Sequence, residues 1–112
     1  MTPVSIATAY YTAMNKKNVI ELEEYLHPQV QFNSPFKSLK GKAATIQAIK
    51  ELIPLFKTLT IRATFGSEDQ AVVVYDLDFP APIGNCPTTA LLSFKKKQIA
   101  AIELFFDTRR FS

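Results

Sequence analysis

The sequence predicts an α+β domain in which three helices pack in the concave face of a strongly curved antiparallel sheet, in the order α-α-β-α-β-β-β-β. Two observations support this fold class. Before residue 57, apolar residues recur every three or four positions in three segments, which is the helical period. From residue 58 onward, apolar and polar residues alternate, which is the period of half-buried strands. Only the helices are then available to cover the apolar face of the sheet.

The first helix is predicted to begin at Thr2 and Pro3, an N-cap residue followed by a residue suited to the first helical position. Ile6, Tyr10 and Met14 follow at helical spacing. Because these apolar residues have no charged neighbours before residue 16, the helix is expected to be mostly buried.

The second helix is short. Asn18 and Glu21 resemble a capping box at its start. Proline disfavours helical geometry in the residue before it, so the helix is expected to end at His27 and Pro28, with the imidazole as a C-terminal cap. The third helix is predicted over residues 42–56, after a lysine-rich loop.

The strands are predicted from the alternation of apolar and polar residues. Val30, Phe32 and Ser34 alternate with polar residues and predict a strand that ends before Pro35. Four further strands are predicted, over residues 58–65, 71–79, 88–95 and 99–107. No internal repeat and no glycine-rich phosphate loop interrupts this order, which excludes a dinucleotide-binding fold.

The composition excludes several classes of protein. The 112 residues suffice for a single domain, residues 1–112, with one core and one pocket. Cys86 is the only cysteine and His27 the only histidine, which excludes an internal disulfide and a Cys/His zinc site. The longest uncharged run, residues 79–94, is too short and too rich in proline to cross a membrane.

Charge and the amino-terminal residues bear on partners and location. A net charge of +3 over the whole chain is a weak electrostatic footprint, so no nucleic-acid partner is expected. The start of the chain lacks the basic region of a secretory signal, and a cytoplasmic location is therefore expected.

Four stretches carry a resemblance to a known family: residues 10–15, residues 25–35, Gly41 before the third helix, and the strand at residues 99–107. In this order and spacing the chain resembles the nuclear-transport-factor-2-like superfamily, within it the SnoaL-like branch of polyketide cyclases and ketosteroid isomerases. The resemblance implies a cone in which a bent sheet wraps the helices around an apolar pocket. It also implies a homodimer packed through the sheet, and no metal or organic cofactor.

The resemblance bears on the catalytic residues. Tyr10 matches the tyrosine of the ketosteroid isomerases, but Ser34 stands where they have a carboxylate base, and Leu92 stands near their protonated aspartate. A serine without a histidine beside it is a poor base near neutral pH. The steroid-isomerase mechanism is therefore not expected.

Asp107 is the best catalytic candidate, because it resembles the essential aspartate near the end of the last strand of SnoaL-type cyclases. Phe105, Phe106 and Phe111 are expected to desolvate its carboxyl group and raise its pKa, as proton abstraction beside a carbonyl requires. The competing interpretation is structural: Asp107 pairs with an arginine at position 109 or 110 or caps the strand end.

Several apolar residues are candidates for the pocket wall, although they could equally form a close-packed core. These ligand-binding candidates are Met14, Phe32, Phe36, Phe56, Phe79 and Leu92.

For the other polar residues, a structural role is the simpler expectation than a catalytic one. Asp76 and Asp78 share one strand face, which is expected to be the outer or dimer-facing side. Cys86 is placed in a proline-rich connection without a cation to activate it. The lysines at positions 37, 40 and 42 could help to bind an anion at the amino end of the third helix. A solvated loop is the simpler interpretation of these residues.

Two functional hypotheses follow. In the first, the cone binds a small apolar carbonyl compound and catalyses isomerisation, cyclisation or dehydration, with Asp107 as acid and base and Tyr10 and Ser34 as hydrogen-bond donors. In the second, the protein is a non-catalytic ligand-binding or dimerisation module. A pocket with Asp107 and Tyr10 facing inward would favour the first hypothesis.

Overall fold

The structure, a computed structural model, describes residues 1–111, which contain three α-helices, six strands and two 3-10 turns. The helices are α1 (Pro3–Asn15), α2 (Val19–Glu23) and α3 (Lys42–Leu52). The strands are β1 (Leu26–Asn33), β2 (Ser38–Lys40), β3 (Thr58–Gly66), β4 (Gln70–Asp78), β5 (Asn85–Lys95) and β6 (Gln98–Phe106). The 3-10 turns are Ile53–Leu55 and Thr108–Phe111, the second of which we call the C-terminal turn. The predicted α+β class is confirmed.

The strands form one sheet in the order β2-β1-β6-β5-β4-β3. Four neighbouring pairs are antiparallel, as predicted, but β1 and β6 run parallel. The connection from β1 to β6 passes through α3 and four strands, and a connection of that length permits parallel pairing. Register shifts leave one residue unpaired in β3, between Ile61 and Ala63, and one in β6, opposite Ser93 and Phe94, and both add local twist to the bend of the sheet.

The first helix has the predicted amino end and is fixed at both ends. The Thr2 hydroxyl accepts a hydrogen bond from the Ser5 amide at 3.1 Å, and the Ser5 hydroxyl accepts one from the Thr2 amide at 2.9 Å. At the other end, the Asn15 side-chain oxygen accepts a hydrogen bond from the Leu59 amide at 2.8 Å. The end of α1 is thereby tied to the first residues of β3.

The predicted end of α2 is wrong. The helix stops at Glu23, and His27 and Pro28 belong to β1, where His27 Nδ1 accepts a hydrogen bond from the Gln29 amide at 3.0 Å. The imidazole therefore does not cap a helix. Proline restricts the residue before it to extended geometry, which a strand accepts as readily as a loop. Pro28 also lies where the β1–β6 register is interrupted, so its missing N–H disrupts no ladder there.

Three other boundaries differ from the prediction. The third helix ends at Leu52 and continues as the 3-10 turn Ile53–Leu55. The lysine-rich loop contains the short edge strand β2. Cys86 lies in β5 and is buried, because β4 and β5 remain paired as far as Asp78 and Asn85.

The core lies between the helices and the concave face of the sheet. The first helix packs on β3 and β4, and α3 packs on β1 and β2. The completely buried apolar side chains are Ala7, Ala13, Leu22, Leu26, Val30, Val73, Ala90, Leu92 and Ile99. Because α1 and α3 cover different strands, a cavity remains on the concave face between them. Within residues 1–111, no helix is long and apolar enough to span a membrane.

Candidate ligand-binding site

A cavity of about 150 Å³ lies between α3, the concave face of the sheet and the C-terminal turn. A smaller space of about 50 Å³ adjoins it on the side of α1. We call them the main cavity and the inner void. They share the side chains of Phe32, Ala48, Leu52, Tyr75 and Leu104. An apolar cavity of about 150 Å³ can hold a benzene molecule, so the main cavity has room for a single ring.

Phenylalanines dominate the wall of the main cavity. Phe32, Phe36, Phe79, Phe106 and Phe111 all line it. The Phe111 ring lies edge-on to three of the others, with centroid distances of 5.7 Å to Phe36, 5.5 Å to Phe79 and 5.8 Å to Phe106. Phe36 is 56% exposed, which places this ring cluster at the mouth. The C-terminal turn therefore contributes an aromatic side chain to the opening.

Three buried tyrosines lie on the inner side. Tyr10, Tyr11 and Tyr75 are at most 2% exposed. The side chains of Tyr11 and Tyr75 are hydrogen-bonded to each other, and the two ring centroids are 4.6 Å apart. Burial disfavours the phenolate and raises the pKa of all three well above its ordinary value. All three are therefore neutral near pH 7, and Tyr75 borders both the main cavity and the inner void.

Cys86 and Thr88 add two polar groups to the cavity wall from β5. The Thr88 hydroxyl donates a hydrogen bond to the Cys86 carbonyl at 3.3 Å. Burial raises the pKa of the Cys86 thiol, against the opposing effects of Thr88 and of the Arg110 charge. The thiol is therefore protonated near pH 7, which argues against a nucleophilic role.

The turn between β1 and β2 (residues 34–37) supplies Ser34 and Lys37 to the main cavity. The Ser34 hydroxyl accepts hydrogen bonds from the Phe36 amide at 3.2 Å and the Lys37 amide at 3.3 Å. These bonds hold the turn in shape. The Lys37 side chain is exposed, so it lines the cavity at its mouth.

Asp107 does not line the main cavity or the inner void. Its side chain is 45% exposed and forms a two-pronged ion pair with Arg109, whose Nε lies 3.0 Å from each carboxylate oxygen. Hydrogen bonds from the Arg109 side chain and amide lower the pKa of Asp107 to about 2. The expectation that neighbouring phenylalanines raise this pKa is wrong, because β6 ends at Phe106 and the chain folds Arg109 back onto the carboxylate.

The remaining site candidates fall into three groups. Phe32, Phe36, Phe79 and Ser34 line the main cavity, whereas Tyr10 and Met14 line the inner void. Phe56 and Leu92 are buried in the core and line neither space. The Phe56 ring instead lies 4.8 Å from the Lys17 ammonium. The catalytic roles of Asp107, Tyr10 and Ser34 stay predictions.

Asp76 and Asp78 lie on the outer face of β4, opposite the buried set that contains Tyr75. Asp76 pairs with Arg62 at 3.4 Å. Within residues 1–111, no three acidic, cysteine or histidine side chains come together as a metal site.

Tyr75 and Thr88 line the main cavity although neither was predicted as a site residue, and Cys86 lies in β5 rather than in the predicted loop. The alternation along residues 71–79 already predicts that Tyr75 shares the inward face with Val73 and Leu77. A tyrosine on an otherwise apolar inward face was the available signal, since a buried hydroxyl requires a partner.

Comparisons with known proteins agree with this architecture. Residues 7–102 match the family model described as the SnoaL-like domain. A search of curated proteins gives no match. A nuclear-transport-factor-2-like protein of unknown function from Cytophaga hutchinsonii superimposes with a TM-score of 0.86 at 17% identity, covering 99% of this chain and 95% of that chain.

Two further solved structures are similar. A candidate ketosteroid isomerase from Kribbella flavida has a TM-score of 0.85 at 16% identity, covering 94% of this chain and 77% of that chain. A candidate polyketide cyclase from Pseudomonas putida has a TM-score of 0.85 at 16% identity, covering 99% of this chain and 96% of that chain. At these identities the likeness establishes the fold alone.

Proposed function

Because the chain belongs to the SnoaL-like domain family, we propose that it binds a small, largely apolar carbonyl compound in the main cavity. The observation that carries this proposal is the position of Tyr75, a neutral phenol at the junction of an apolar cavity and the inner void. Ligand sites are typically apolar with a few convergent polar groups. The volume of about 150 Å³ suits one ring with a short substituent.

Tyr75 is suited to donate a hydrogen bond to the ligand. A phenol hydroxyl can accept one hydrogen bond while it donates another, so Tyr75 can stay bonded to Tyr11 and donate its own proton to a carbonyl oxygen. Successive hydrogen bonds polarise one another, which strengthens the second one. A hydrogen bond of this kind contributes about 0.5–1.5 kcal/mol, or roughly two- to tenfold in affinity.

The test is a titration with acetophenone, followed by the ¹³C shift of its carbonyl and by calorimetry. We expect Tyr75→Phe to weaken binding roughly two- to tenfold and to move the carbonyl shift toward its value without a hydrogen bond. Tyr25→Phe is the matched control, because Tyr25 is a half-buried tyrosine that lines neither cavity. Equal affinities for wild type and Tyr75→Phe would reject the role of this phenol.

A second candidate function is cofactor-independent isomerisation, cyclisation or dehydration of the bound carbonyl compound. The similarity to structures named as isomerase and cyclase candidates favours it. In this proposal Asp107 is the acid and base, and Tyr10 and Ser34 donate hydrogen bonds to the developing oxyanion. Asp107 directly follows Phe106, which lines the main cavity, but its carboxylate would have to leave Arg109 to reach the ligand.

Turnover of the bound ligand tests this candidate. We expect Asp107→Asn to abolish proton exchange beside the ligand carbonyl, measured by deuterium incorporation, without loss of fold. Asp69→Asn, an exposed aspartate in the β3–β4 turn, serves as the control. An unchanged exchange rate in Asp107→Asn would remove this residue from the mechanism and leave the binding function in place.

We also propose a homodimer through the outer face of the sheet. Phe65, Val72 and Leu91 lie in register across three strands of that face, and Phe105 lies on the same side. Phe65 and Phe105 are 62% and 50% exposed, so a second copy would remove substantial apolar area from water. Light scattering tests the assembly: Phe65→Ser should yield monomers, whereas Ile20→Ser, at a 77% exposed position on α2, should not.

A further inference from the structure

The inner void continues the main cavity toward α1. The two spaces share a wall of side chains that includes Tyr75 and Ala48. The side chains that line the inner void but not the main cavity come from α1, α3 and β6, and they are Tyr10, Tyr11, Met14, Ile49 and Ile102. Each of these five is at most 4% exposed, whereas Phe36 at the mouth of the main cavity is 56% exposed. The inner void is therefore the deep end of the site.

The inner void is suited to an apolar group. The side chains around it are apolar except for three tyrosines, and two of these, Tyr11 and Tyr75, are hydrogen-bonded to each other. Within residues 1–111, no buried side-chain nitrogen or oxygen lacks a hydrogen-bond partner. Empty cavities in proteins are apolar, and a water enters only where several polar groups can hold it. A hydrocarbon segment can therefore fill the inner void without leaving a polar group of the wall unsatisfied.

Tyr75 lies where a ketone would place one substituent in each space. It borders both spaces, so a carbonyl oxygen bonded to its hydroxyl lies at their junction. A ring fits the main cavity of about 150 Å³ but not the inner void of about 50 Å³, which leaves the inner void to the second substituent. One water-sized group needs about 10–15 Å³ of such space, so the inner void holds a chain of roughly three carbons.

We propose that the ligand is an aryl alkyl ketone, whose ring occupies the main cavity and whose short unbranched alkyl chain occupies the inner void. This inference refines the proposed function and rests on it. Close-packed interiors deform little, so the walls of the inner void limit the length of the chain. Ile102 is then a specificity-determining residue, because its side chain lines the inner void and not the main cavity.

The experiment measures, by calorimetry, the affinities of five phenyl ketones whose alkyl chains grow by one carbon at a time: acetophenone, propiophenone, butyrophenone, valerophenone and hexanophenone. Wild type is compared with Ile102→Val, which removes one methyl group from the wall of the inner void. Ile99→Val is the matched control, because Ile99 is a buried isoleucine of the same strand that lines neither space. Both variants lose one buried carbon, and circular dichroism with urea unfolding verifies that each remains folded.

We expect the affinity of wild type to rise about two- to fourfold with each carbon from acetophenone to butyrophenone, and to rise no further with valerophenone. Ile102→Val should extend the rise to valerophenone, whereas Ile99→Val should keep the limit of wild type. Three results would overturn the chain site while leaving the carbonyl-binding function in place: affinities independent of chain length, a rise that continues to hexanophenone in wild type, or the same limit in both variants. If no ketone of the series binds, the proposed function and this refinement both fail.

Discussion

The substitution Ala48→Leu tests directly whether the main cavity is unfilled space. Ala48 lies on α3 and borders both the main cavity and the inner void. Leucine at this position adds an isopropyl group, which is smaller than the benzene that a cavity of about 150 Å³ can hold. We therefore expect the added group to be accommodated without displacing the sheet.

The sign of the stability change distinguishes a cavity from a close-packed core. Burying the isopropyl group contributes about 2.4 kcal/mol, at about 0.8 kcal/mol for each carbon. The rotamer freedom that leucine loses offsets about 0.5–1 kcal/mol of this burial free energy. The lower helix propensity of leucine offsets a further amount of about 0.2 kcal/mol. A gain of about 1.2–1.7 kcal/mol remains. In a close-packed core the same substitution would instead destabilise by about 1–3 kcal/mol.

Urea unfolding followed by circular dichroism measures this change, and the melting temperature should rise by roughly 4–8 °C. The matched control is Ala43→Leu, at an exposed position of the same helix, where we expect a change within about 0.5 kcal/mol. Ala48→Leu should also weaken acetophenone binding, because the new side chain occupies the site. Destabilisation by Ala48→Leu, with the control unchanged, would refute the existence of the cavity.

Three further predictions concern the frame around the site. Gly66→Ala should destabilise the fold by about 1–3 kcal/mol in urea unfolding, because its Cβ would collide with a Val4 methyl group, and adding Val4→Ala should recover part of that loss. Lys96→Asn with Lys97→Gly should stabilise it by about 0.5–1 kcal/mol in the same assay, since both lysines have positive φ angles, 51° and 63°, in the β5–β6 turn. Arg109→Gln should raise the pKa of Asp107 from about 2 toward 3.8 in a ¹³C titration. Because the folded pKa of Asp107 is depressed, the ion pair stabilises the fold above about pH 4, and that contribution is lost as the pH falls toward 2.

The elements predicted correctly are those with local periodicity. The spacing of apolar residues located α1 and α3, and alternation located the four strands after residue 58. The same alternation placed Asp76 and Asp78 on the outer face of β4. In each case burial of one face dictates the pattern, so the sequence carries the information within a short window.

The elements that were missed depend on non-local pairing. The edge strand β2 has three residues, too few to show a period, and exists because it pairs with β1. The parallel pairing of β1 with β6 joins distant segments, and no local pattern specifies it. The orientation of Asp107 could not be inferred from alternation either, because β6 ends at Phe106 and the following turn decides where the carboxylate points.

The C-terminal turn connects Asp107 to the cavity without placing its carboxylate inside. The amide and the side-chain Nε of Arg109 both donate hydrogen bonds to the Asp107 carboxylate at 3.0 Å, and these contacts together hold the turn that carries Phe111 to the mouth. Loss of Asp107 would therefore alter ligand binding even if the residue takes no part in chemistry. Asparagine can still accept from the amide but cannot pair with the guanidinium. A positioning role thus predicts weaker binding in Asp107→Asn with an unchanged rate for the bound ligand, whereas a catalytic role predicts a lost rate with binding retained.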